Sequence, residues 1–71
     1  MVLQSGELLG VVTDWDDPRG IGSITSGEQV YPFQCTQIAD GTRTIESGAQ
    51  VRFRTRPWHL GRLEAIDVHV R

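Results

Sequence analysis

Apolar residues recur at intervals of two over short runs, and a glycine or proline closes nearly every run before a helical period can establish itself. Residues 8–15 are rich in apolar and β-branched side chains and end at Asp16-Asp17-Pro18-Arg19-Gly20, a cluster in which Pro fixes φ and Gly admits a positive one. This predicts a first strand and its turn. Residues 21–25 form a second short run, and Ser26-Gly27-Glu28 separates it from a third at residues 29–34. Within that third run Tyr31 and Phe33 fall on one face and Pro32 and Gln34 on the other, as in a half-buried strand, and Pro32 points to an edge or bulged position. A long connection, residues 35–50, has no sustained period and room for one 3₁₀ turn. Residues 51–56 then alternate strictly, with Val51 and Phe53 toward the core and Arg52, Arg54 and Arg56 opposite. After a break at residues 57–61, residues 63–70 make the last strand, with Ile66, Val68 and Val70 in phase. Five short strands at this spacing predict an all-β fold, a small antiparallel barrel, and an SH3-like barrel would carry a similar signature.

With 71 residues the expectation is one small domain over 1–71, burying about 60% of the surface of its unfolded chain, with no room for a deep interdomain cleft. Seven arginines are present and no lysine, which excludes the phosphate-loop and Schiff-base lysine chemistries. The lone Cys35 has no partner for an intramolecular disulfide, residues 1–6 show no basic and apolar leader pattern, and no run approaches the length of a membrane span. A cytoplasmic location is expected.

Charge changes the picture more. Net charge is −2, but residues 1–40 hold six acids and one arginine, whereas residues 41–71 hold six arginines and three acids. An acidic chain thereby keeps a local basic surface. Arg52, Arg54 and Arg56, with Arg62 expected across the hairpin and Trp58 and His59 at its tip, combine positive charge with an aromatic ring and form the candidate polyanion site. The plain alternative is a solvated strand face whose like charges discourage edge pairing.

Over residues 7–70 the chain resembles the cold-shock domain family. Gly10-Val11-Val12-Thr13-Asp14-Trp15 stands where that family has Gly-x-Val-Lys-Trp-Phe, and Arg19-Gly20-Ile21-Gly22-Ser23-Ile24 where it has Lys-Gly-Phe-Gly-Phe-Ile. Tyr31-Pro32-Phe33-Gln34-Cys35-Thr36-Gln37-Ile38 is similar to Val-Phe-Val-His-Phe-Ser-x-Ile. Ile45-Glu46-Ser47-Gly48-Ala49-Gln50-Val51-Arg52-Phe53 is similar to Leu-x-x-Gly-x-x-Val-x-Phe, and Ala65-Ile66-Asp67-Val68 to Ala-x-x-Val. The resemblance implies a five-stranded antiparallel OB-type β-barrel that binds single-stranded RNA or DNA on exposed rings of its first three strands. Those rings are mostly replaced: Asp14 stands for the exposed Trp, Ile21 and Ser23 for two Phe, and Pro32, Gln34 and Cys35 for Phe, His and Phe. Trp15 remains aromatic, either for stacking or as a half-buried lid. Each base–ring stack contributes roughly 1–3 kcal/mol, so binding without the platform loses several kcal/mol.

The resemblance and the charges together nominate Trp15, Arg19, Gln34, Arg52, Arg54, Arg56, Trp58, His59 and Arg62 for nucleic-acid contact, Arg19 alternatively pairing with Asp16 or Asp17 across the turn. Gly20-x-Gly22 lacks the third glycine and following helix of a dinucleotide fingerprint, and its role is a strained turn and a close strand approach. Asp14, Asp16 and Asp17 lack the spacing of a calcium loop, His59, His69 and Cys35 show no zinc-ligand spacing, and Cys35 reads as a small hydrophobe. No cofactor, metal or enzymatic activity is expected. Two functions follow. One is weak, largely electrostatic binding of single-stranded nucleic acid; the other is a protein-interaction or regulatory module that uses a smoother face formed by Ile21, Pro32 and Cys35.

Overall fold

The computed structural model describes residues 6–71; residues 1–5, where no leader pattern is expected, lie outside the described residues. Five strands form one antiparallel sheet: β1 (Leu8–Asp16), β2 (Ile21–Ser26), β3 (Gln29–Gln34), β4 (Gln50–Pro57) and β5 (Leu63–Val70). Their order is β3-β2-β1-β4-β5, so Pro32 does lie on an edge strand. The two edges come within 8 Å of one another between Cα atoms, which requires the sheet to curl, and among the described residues no β3–β5 ladder closes it. A single 3₁₀ turn, Cys35–Gln37, opens the long connection, and Ile38 returns to form a parallel bridge with Val68. No described helix is long and apolar enough to cross a membrane.

Alternation places the core where the pattern predicts it in β3 and β4. Val12, Ile24, Phe33, Val51 and Phe53 are buried on the concave side with Ile38, Ile45, Ala65 and Val68. Each of these side chains except that of Ala65 contributes about 1.5–3 kcal/mol by leaving water. Gly22 marks the tightest approach, because a Cβ there would lie 2.5 Å from the Asp14 carbonyl oxygen.

Two bulges shift the phase. In β1 the pairing passes from Val12↔Ile24 to Asp14↔Ser23, so Thr13 is an extra residue and Trp15, not Asp14, turns inward opposite Gly22. In β5 the pairing passes from Arg52↔His69 to Arg54↔Ile66, leaving Asp67 and Val68 opposite Phe53, with Asp67 at φ 53°. The expected in-phase set of Ile66, Val68 and Val70 is therefore incorrect. Val68 is buried, Ile66 is half-buried and Val70 is 54% exposed, while Ala65 takes a core position. One extra residue reverses a period-two pattern.

Candidate nucleic-acid interface

Register assembles five of the six positions of the missing rings, all but Cys35, on one face. Asp14, Ser23 and Pro32 form one cross-strand row, and Asp16, Ile21 and Gln34 the next. An open groove of about 410 Å³ lies over these rows. Its lining includes apolar Ile21 and Pro32 and polar Gln34. Trp58 reaches it from the β4–β5 turn, and so does Glu64 of β5. No arginine lines this groove.

Trp15 belongs to the inward row. Its ring stacks on the buried Phe33 with centroids 5.4 Å apart and planes 20° from parallel, and both residues contribute to the groove lining. The indole N–H donates to Asp17 at 2.9 Å. The Thr44 hydroxyl donates to the same carboxylate at 2.6 Å, and together, with Thr44 the larger influence, they hold the Asp17 carboxyl below the ordinary aspartate value. This links the β1–β2 turn to the long connection. Arg19 is exposed and turns back on its own turn, with its Nε 3.6 Å from Asp16. Cys35 does not share the face with Ile21 and Pro32; it is half-buried under Gly20, where a Cβ would meet its sulfur at 2.7 Å.

Arg52, Arg54 and Arg56 do stand exposed along the outer face of β4. Arg52 donates to Glu7 at 2.9 Å, and Arg56 donates at 2.5 Å to Glu64, whose side chain is only 6% exposed. Arg54 lies opposite Ile66 and has no ion pair among the described residues. At the turn the Trp58 amide donates to the Arg62 carbonyl at 2.7 Å, confirming Arg62 across the hairpin, and exposed His59 lies against the Trp58 ring at 4.3 Å. The Arg62 side lines a second depression with Val30, Tyr31 and Leu63. The nine nominated residues thus divide among the β4 face with Arg52, Arg54 and Arg56, the groove lining with Trp15, Gln34 and Trp58, the β1–β2 turn with Arg19, the β4–β5 turn with His59, and the second depression with Arg62. Glu7 and Glu64 were the acids that sequence reading missed. Counting back from the β4–β5 turn, where Pro57 pairs with Leu63, would have put Glu64 opposite Arg56.

No family model matches the chain, and no curated protein matches its sequence. Among solved structures, a chain described as Drosophila Unr CSD456, a run of cold-shock domains, superposes on 92% of this chain with a TM-score of 0.74 and 21% identity. The chain has the cold-shock fold. It spans about a quarter, 26%, of the length of the chain it matches. The fold agrees with the resemblance seen in the glycine and apolar spacing, and the groove occupies the face on which that resemblance puts the base platform.

Proposed function

We propose that the protein binds single-stranded nucleic acid weakly, through backbone charge, on the arginine face of β4 and not in the groove. The observation that carries this reading is Arg54, an exposed cation free of an ion pair among the described residues, flanked by Arg52 and Arg56 on a fold whose relatives generally bind single strands. Asp14 and Asp16 in the groove repel phosphates, and the groove offers Trp58 where a series of rings would be needed. Two of the three arginines already share their charge with Glu7 and Glu64, so one or two phosphate contacts are the expected number. Contacts of that number give weak binding and roughly a three- to sevenfold loss between 50 and 200 mM salt. The reaction is binding alone; no bond is made or broken.

Fluorescence anisotropy of a dye-labelled oligo-dT, repeated with Arg54→Ala, tests the assignment. The variant weakens binding and flattens the salt dependence by about one phosphate contact. Equal affinity in the variant, or no binding by folded protein at low salt, overturns it.

A further inference from the structure

The groove has a chemistry of its own that nucleic-acid binding does not use. Ile21, 44% exposed, and Pro32 offer an apolar strip, and the Trp58 indole reaches in from the β4–β5 turn. Asp14 stands in the same lining, exposed and without an ion pair among the described residues, while Asp16 accepts from the Arg19 amide at 3.4 Å and lies 3.6 Å from the Arg19 Nε. Glu64 contributes a third carboxylate, buried and held by Arg56. The lining is apolar, aromatic and anionic, with no cation in it. We propose that this groove is a docking site for an extended segment of a partner protein that inserts an arginine beside an apolar residue.

Charge complementarity selects the occupant. A phosphate-bearing strand would meet Asp14 and Asp16, whereas a cation is attracted by both. Arginine fits better than lysine because its planar, weakly hydrated guanidinium can pair with a carboxylate and lie against an indole at once. The apolar strip suits a neighbouring aliphatic side chain of the same segment. The occupant lies across the face and not along the β3 edge, since Pro32 lacks the amide that would continue a ladder. Openness to solvent suits a surface segment more than an enclosed small molecule. The site does not depend on the arginine face, and the two can fail separately.

A dye-labelled nonapeptide alternating arginine and leucine is the probe, with a glutamine-for-arginine peptide as control, and ¹⁵N–¹H spectra of the folded protein report the location. The arginine peptide is expected to shift amides of residues 14–16, 21–23 and 33–34 and the Trp58 indole. Asp14→Asn should weaken it about fivefold and Trp58→Leu about tenfold. Glu28→Gln, which removes an exposed acid of the β2–β3 turn outside the groove, should leave affinity unchanged. Equal loss in Glu28→Gln and Asp14→Asn, equal binding of the glutamine peptide, or shifts scattered over all acids would overturn the proposal. Oligo-dT moving these same groove resonances would overturn it too, by giving the groove to nucleic acid.

Discussion

Gly22 lies at the point where three strands are packed closest. Its missing side chain lets Trp15 and Phe33 stack across it, since an added Cβ would stand 2.8 Å from the Trp15 ring and 3.0 Å from that of Phe33. Backbone contact with the Asp14 carbonyl leaves no side-chain motion that could relieve the clash. Gly22→Ala is accordingly expected to destabilise the fold by about 1–3 kcal/mol, lowering Tm by roughly 5–15 °C in a thermal melt. An unchanged melting curve would mean that the strands are not this close. Legibility at this scale is mixed. The close approach at Gly22 can be read from the glycine spacing, because no other residue fits there. The side on which Trp15 lies cannot, because it depends on the extra residue Thr13, whose hydroxyl interacts with Thr25 at 3.0 Å and which carries no glycine to betray a bulge.

At the scale of elements, strand positions follow from where alternating runs meet Gly and Pro, and the observed ends of β1, β2 and β4 differ from the expected ones by a residue. The phase within β5 was not accessible. Asp67 adopts φ 53°, a left-handed conformation that aspartate tolerates and a β-branched residue resists, so the sequence there looks like an ordinary exposed strand position. That single conformation allows Val68 and Ala65, an odd three positions apart, both to be buried. Asp67→Val should cost about 1–2 kcal/mol in urea unfolding, whereas Asp67→Gly should be close to neutral. Loss of the exposed His69–Asp67 contact at 3.1 Å is common to both variants and contributes little. Equal stability of the two would show that the bulge does not set the phase of β5.

The whole molecule is where charge is decided. Along the chain acids and arginines separate into two halves, but β1 pairs with β4, so Leu9 lies opposite Arg52 and Glu7 reaches the arginine from the opposite half. This explains why a net basic second half does not become a uniformly basic surface. Nucleic-acid affinity then depends on how much arginine charge the acids leave available, and that dependence can be measured. Glu7→Gln keeps a hydrogen-bonding side chain beside Arg52 while removing its counter-charge, and brings the net charge from −2 to −1. Oligo-dT affinity at low salt should rise about threefold, and the slope of log K against log salt should steepen by about 0.7, the increment for one more phosphate contact with a single strand. Glu28→Gln makes the same change in net charge at a turn remote in register from β4 and serves as the comparison. If both variants raise affinity alike, the strand senses only total charge and the arginine face has no particular claim on it. A gain confined to Glu7→Gln would locate the phosphates at Arg52 and its neighbours, because only there has a local competitor been removed.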